Sequence, residues 1–234
     1  MYRNHAISIL IPSFNERGGI RYIMESVPGW VDEVLVVDCS TDGTDAIARQ
    51  LGARVIRERP AGYGQAYLTG FMHVGGDVII TMDADGTYPV KAEELGALLD
   101  RFIEDQHDFI SASRFPARFS PEVMPRERVL GNRLMTSWAN LLFRTSYNDI
   151  LSGMWILRRE VIPKLGVTSA NWLLSAEIKL AALMNPEISF AEVHIPYRKR
   201  IGESKFARPW YSLYRAGFEN ALYLLGKRIY GFFR

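Results

Sequence analysis

The stretch Val78-Ile-Ile-Thr-Met-Asp-Ala-Asp-Gly-Thr-Tyr-Pro89 decides how this chain folds. It opens as a short apolar run, the pattern of a buried strand. It ends in two carboxylates, Asp83 and Asp85, and breaks at Gly86 and Pro89. Open α/β sheets bind ligands outside the carboxyl ends of their strands, which is where these aspartates would sit. Two carboxylates one residue apart repel each other unless a cation lies between them. A hard divalent ion carrying phosphate oxygens, Mg²⁺ or Mn²⁺, suits such a pair. The competing reading is a strand-end turn that merely favours Asp and Gly.

On both sides of this stretch, strand-like and helix-like segments alternate at short spacing. Strands are expected at 7–14, 31–38, 54–57 and 108–114, with helices after the first strand and at 44–51, 62–70 and 90–103. Thr41 or Asp42 can cap the second of these helices. Such alternation predicts a mainly parallel α/β sheet flanked by helices over the first 115 residues. Glu16, Asp38 and the Asp83/Asp85 pair follow successive strands, so their carboxylates should converge on one crevice. The first strand ends Pro12-Ser-Phe-Asn-Glu16 without the glycines of a dinucleotide fingerprint, and no P-loop is present. An acidic crevice of this kind needs a metal to accept phosphates, which points to a nucleoside diphosphate.

The second half is less regular. Val129, Leu130, Leu134, Trp138, Leu141 and Leu142 recur at helical spacing within 126–145, and 115–125 reads as a loop. A strand is expected at 154–157, a helix at 173–184 and a last strand at 188–197. Trp210, Tyr214, Phe218, Leu222, Leu225 and Ile229 then mark an amphipathic helix, with Pro209 at its first turn.

The 234 residues are enough for one large domain, expected at 1–205, with an aromatic and basic helical tail at 206–234. One cysteine, Cys39, excludes a disulfide framework and a cysteine zinc cluster, and suits a reducing, cytoplasmic compartment. No signal-peptide pattern opens the chain, and no window is apolar enough to span a bilayer. The net charge of +2 hides an asymmetry. From Arg198 onward nine Lys/Arg stand against two Glu, whereas the preceding 197 residues hold 19 basic and 24 acidic side chains. A basic, aromatic tail is expected to meet an anionic, apolar surface, the cytoplasmic face of a membrane. A nucleic-acid partner is not expected.

The ordered set I11-P-S-F-N-E16, D38-C-S-T-D-G-T44, G62-Y-G-Q-A66, M82-D-A-D-G-T-Y-P89, S113-R114, D149-I-L-S-G153 and Y197-R-K-R-I-G-E-S-K205 resembles the family 2 glycosyltransferases of GT-A fold. Within them it looks like the polyprenyl-phosphate (dolichyl-phosphate) mannose or glucose synthases. The resemblance implies a Rossmann-like open sheet and sugar transfer from a UDP- or GDP-linked donor to a polyprenyl phosphate. It implies that Pro12, Phe14 and Glu16 line the nucleoside pocket and that Asp38 meets the base or ribose. Gly64, Ala84 and Lys205 would complete the nucleotide-sugar site, Asp83 would hold its sugar side, and Asp85 with Asp83 would ligate Mg²⁺ or Mn²⁺. Arg114, Arg128 and Arg200 would hold phosphates of donor and acceptor. Three departures stand out: Tyr63 where Lys is common, Thr87 where mannose synthases commonly have Gln, and a spacing from Arg200 to Lys205 that is one residue short.

Charge arguments shape the expected mechanism. A metal replaces an acid at the leaving diphosphate. A phosphate-monoester acceptor is mostly a dianion at neutral pH and attacks without a base. Direct displacement inverts the anomeric centre. Arginines must then hold two anionic reactants together. A hydroxyl acceptor, such as a glycan, a glycolipid or a small metabolite, would instead need a base, and Asp149 is the candidate. Related synthases often continue into transmembrane helices, so membrane contact here falls to the tail or to an anchoring partner protein. A sugar nucleotidyltransferase would need an N-terminal Gly-rich loop with Arg and Lys, and an inactive membrane-binding module would not need Asp83, Asp85, Arg114 and Arg200.

Overall fold

The computed structural model describes residues 1–115, 118–202 and 212–231. Seven strands form among them: β1 (Ile7–Ser13), β2 (Glu33–Asp38), β3 (Arg54–Arg57), β4 (Val78–Thr81), β5 (Phe109–Ser113), β6 (Trp155–Arg158) and β7 (Phe190–His194). They build one sheet in the order β3-β2-β1-β4-β6-β5-β7. The expected mainly parallel α/β sheet is present. β6 alone runs antiparallel, to both β4 and β5. Its direction has a simple cause: the chain enters β6 through Gly153, which lies beside Asp83 at the carboxyl edge, and must descend from there.

Period-two alternation sends β1 side chains to two cores. Ile7, Ile9 and Ile11 meet Ile20 and Ile23 of α1 (Arg17–Ser26) and Leu95, Leu99 and Phe102 of α4 (Ala92–Glu104). Leu10 meets the opposite layer, which holds Tyr67 and Phe71 of α3 (Tyr63–His73) and Leu174 and Ile178 of α7 (Leu174–Met184). Leu95, Leu98, Leu99 and Phe102 follow helical spacing, so α4 buries a single stripe; each such side chain contributes roughly 1.5–3 kcal/mol. A short 3₁₀ turn (Arg159–Val161) and α6 (Ile162–Leu165) follow β6, which no helical spacing announces.

α5 (Arg126–Phe143) and α8 (Ser212–Tyr230) add a third cluster, in which Met135, Ala139 and Leu224 meet Ile150, Ala176 and Leu180. Trp138 Nε1 donates to the Ala221 carbonyl at 3.2 Å and ties the two helices together. The apolar stripe read from the tail does not make this contact. Phe218, Leu222 and Ile229 are exposed, as are Leu130, Leu134 and Leu141 on α5, all by 53–73%. α8 docks instead through Asn220, Ala221 and Leu224. Pro209 and Trp210 lie outside the described residues.

Candidate active site

β2 and β4 flank β1 on opposite sides, so the sheet reverses its strand order at the carboxyl end of β1. A crevice opens at such a switch point. Glu16 follows β1, and Asp83 and Asp85 follow β4, so topology alone delivers three carboxylates to it. Gly19 in α1 lets the turn come this close, because a Cβ there would stand 2.1 Å from the Ala84 carbonyl oxygen.

The Asp85 carboxylate is held from two sides. The Thr87 amide and hydroxyl donate to Oδ1 at 3.1 and 2.7 Å, and Arg200 Nη1 donates to Oδ2 at 2.7 Å. The same guanidinium pairs with Glu16. Its position is fixed by backbone bonds that strap its segment to the turn, Arg198 N to the Thr87 carbonyl and Ile201 N to the Asp85 carbonyl, both 2.9 Å. Asp83 Oδ1 accepts from the Tyr63 hydroxyl at 3.0 Å. Burial and the Asp85 charge push the Asp83 carboxyl up to about 7, against the opposing pull of that hydrogen bond. Burial likewise raises Asp85, with Thr87 opposing it.

These groups open into one cavity of about 760 Å³. Pro12, Phe14 and Glu16 line its end near β1, and Asp83, Ala84 and Asp85 line its floor. Arg114, Arg128 and Arg200 stand around it, and Leu130, Leu134 and Phe218 carry it out to the exposed α5–α8 face. Nine of the expected residues therefore share one space.

Three do not. Asp38 is wholly buried below the crevice, where it accepts from the Ser40 amide and hydroxyl and from Arg57. Its strand end sits one strand away from the switch point, and Arg57 on β3 captures it. Gly64 faces backbone rather than the cavity: a Cβ would stand 2.1 Å from the Ser169 carbonyl oxygen. Asp149 is fully buried and receives Arg114 on both oxygens, Nε on Oδ2 at 2.7 Å and Nη2 on Oδ1 at 2.9 Å. Burial, the largest single effect, would raise its carboxyl, but the Arg114 charge, the hydrogen bonds from Arg114 and the Lys179 charge together hold it low. A carboxylate so engaged orients Arg114 and is a poor base. Lys205 lies outside the described residues.

Residue patterns missed an aromatic wall. Tyr197 packs under the Arg114 guanidinium at 5.4 Å and against Tyr88 at 5.5 Å. Trp172 stacks on Tyr63 at 4.3 Å. Tyr197 is visible in sequence only as the residue before a basic run, and nothing around Trp172 announces that its loop folds back over α3.

Among the described residues no group of three His, Cys, Asp or Glu could hold a metal by itself. The donor set fits a hard ion nonetheless: two carboxylates two residues apart at one strand end, both raised by burial, with Arg200 the cation that meets Asp85. An ion there would take its remaining oxygens from a bound diphosphate and water, as Mg²⁺ does.

The model of the family described as Glycosyl transferase family 2 matches residues 8–166. Dolichyl-phosphate hexose transferase of Haloferax volcanii is 36% identical over 202 residues, covering 85% of this chain and 86% of that protein. Polyprenol monophosphomannose synthase of Mycolicibacterium smegmatis is 30% identical over 216 residues, 85% of this chain and 80% of that protein. Among solved structures, glucosyl-3-phosphoglycerate synthase from Mycobacterium tuberculosis, in complex with Mn²⁺, UDP and glucosyl-3-phosphoglycerate, covers 96% of this chain and 80% of its own. It superposes with a TM-score of 0.69 at 21% identity, a likeness of fold.

Proposed function

Since the chain belongs to glycosyltransferase family 2, we propose that it moves a hexose, with inversion, from a UDP- or GDP-linked donor to a polyprenyl phosphate. The observation that carries this reading is the single cavity joining an acidic floor, three arginines and an exposed apolar helix face. An anionic donor suits the floor only with a cation. Asp83 and Asp85 would hold Mg²⁺ or Mn²⁺, and the chemistry supplied there is Lewis-acid neutralisation of the leaving diphosphate. The neighbours with Mn²⁺ or Mg²⁺ and UDP support this choice.

The chain's own residues do the rest. Arg200, now on Glu16 and Asp85, is a cation placed to turn toward the diphosphate. Arg114 is locked in orientation by Asp149 and by Tyr197, and with Arg128 it can hold a second phosphate against the donor. A phosphate dianion in that position attacks the anomeric carbon without losing a proton, so no base is needed. The engagement of Asp149 favours this acceptor over a hydroxyl, which would need one.

The lipid end of the acceptor is matched to the α5–α8 face. No described helix is long and apolar enough to cross a membrane. Six exposed apolar side chains on two adjacent helices are instead suited to lie in the headgroup zone. The enzyme on this account works peripherally, on the cytoplasmic face of a membrane.

The test is product formation from radiolabelled UDP- and GDP-sugars with a short polyprenyl phosphate in detergent, with Mn²⁺ or with EDTA. One donor should give a mild-acid-labile glycolipid that EDTA abolishes. Label appearing only as free sugar, with every donor, would contradict the acceptor.

A further inference from the structure

The aromatic wall on the Asp83 side of the cavity has no part in the steps above. Tyr63 is the first residue of α3, and the start of that helix is clamped to the loop before α7: Gln65 N donates to the Ala170 carbonyl at 2.8 Å, and Gly64 lies against Ser169. The clamp fixes the ring of Tyr63. Trp172 stacks on it with planes 18° apart, and Tyr67 meets it edge-on at 5.0 Å. Its hydroxyl is seated against Gly153, where a Cβ would stand 2.3 Å from the oxygen and 3.2 Å from Asp83 Oδ1. From this seat it donates to Asp83 at 3.0 Å. Trp172 is 42% exposed and lines the same cavity.

We infer that Tyr63, Trp172 and Asp83 form the hexose subsite, in which Tyr63 positions the carboxylate and Trp172 is the platform for the sugar ring. The inference rests on the transferase reading and assigns the sugar's place within it. A pyranose has a rim of hydroxyl donors and flat faces of C–H groups. It is recognised by an acceptor of fixed orientation beside an aromatic surface, the usual few polar groups within an apolar wall. At 3.0 Å from a carboxylate oxygen, the Tyr63 hydroxyl is the donor of this hydrogen bond. One Asp83 oxygen is thereby occupied, and the carboxylate presents a set edge to the sugar hydroxyls. A nucleobase could also stack on an indole, but Pro12, Phe14 and Glu16 lie at the far side of the carboxylates, next to β1. The side chains of the wall itself, Tyr63, Tyr67 and Trp172, carry no positive charge to offer a diphosphate.

The test is calorimetric binding of UDP, UDP-glucose, GDP and GDP-mannose, each with Mn²⁺, to the wild type and to Y63F, W172A and W172F. For the sugar nucleotide that binds, Y63F should weaken affinity about fivefold and W172A about tenfold, the scale of one lost hydrogen bond or one lost aromatic contact. With W172A the matching nucleoside diphosphate should keep its affinity within about twofold, and W172F should retain most of the sugar binding, since a phenyl ring preserves the contact. A structural role alone would shift both ligands together. Equal weakening of both ligands by the folded W172A variant, or no change in either ligand with W172A and Y63F, would overturn the subsite. If the wild type binds none of the four, the donor reading fails, and the subsite fails with it.

Discussion

Asp85 and Asp149 show how differently two buried carboxylates can be used. Asp85 has Thr87 on one oxygen and Arg200 on the other, and Arg200 also serves Glu16. Removing Asp85 takes away a candidate metal ligand while leaving a polar, partly compensated turn. D85A is therefore expected to lose at least about a hundredfold in turnover, the scale seen when an electrostatic stabiliser is deleted, while melting as a folded protein. Wild-type turnover by D85A would remove the metal assignment. Asp149 has no such freedom: it is wholly buried under Arg114, with Lys179 Nζ donating to its carbonyl at 2.8 Å. D149N leaves the guanidinium without its counter-charge and should cost about 3–5 kcal/mol at pH 7, measured by urea unfolding. The Asp149 carboxyl lies below its ordinary value of about 3.9 when folded, so its stabilisation is complete above that value and is lost as pH falls through the folded one. Lys179, buried beside Asp149 with its amine lowered to about 7, adds a separate change to the gap between wild type and D149N near neutrality, and the Asp149 contribution itself should narrow that gap below about pH 4. A gap that widens below about pH 4 would contradict the pairing. In sequence, Asp149 before Ser152-Gly153 reads as the candidate base for a hydroxyl acceptor, because the partner that engages it, Arg114, is 35 residues away. Asp38 misleads for the same reason, since Arg57 captures it across the β2–β3 pair.

At the scale of elements, strands and helices were legible wherever burial imposes a period. β3 falls on Arg54–Arg57 as expected, and α4 and α7 begin within two residues of their expected starts. The direction of β6 was not legible, because an apolar run of four carries no polarity and only the preceding loop decides it. The stripe of α8 was legible as amphipathic, but its facing was not: Phe218, Leu222 and Ile229 look outward, and Ala221 and Leu224 make the contact with α5 and its cluster. This orientation makes a clean prediction. Replacing Phe218, Leu222 and Ile229 by Ser should leave stability nearly unchanged, within about 0.5 kcal/mol per exposed site. Binding to anionic lipid vesicles should fall at least about tenfold, since each side chain buried in lipid contributes roughly 1.5–3 kcal/mol. Undiminished vesicle sedimentation of the triple variant would assign the stripe some other role.

The whole molecule reads as a charge gradient laid over an α/β sheet. Its acidic first 197 residues place Glu16, Asp83 and Asp85 at the switch point, and the basic chain from Arg198 returns across that edge with Arg200. The topology brings donor floor, arginines and apolar face into one cavity, and of the sheet order that does so only the parallel part, β3-β2-β1-β4, follows from strand alternation visible in the sequence. What the alternation could not reveal was the wall opposite, because Trp172 and Tyr63 are 109 positions apart and meet only when the loop before α7 closes on α3.

A phosphate acceptor needs no base, and a hydroxyl does. The decisive comparison offers one labelled donor, with Mn²⁺, to a polyprenyl phosphate and to the same polyprenol with a free hydroxyl. The phosphate should be glycosylated with inversion at the anomeric carbon and the alcohol should not, by a margin of at least about a hundredfold, the scale of the general-base contribution this site does not supply. Comparable transfer to the alcohol would contradict the claim and return the search to a proton acceptor in the cavity.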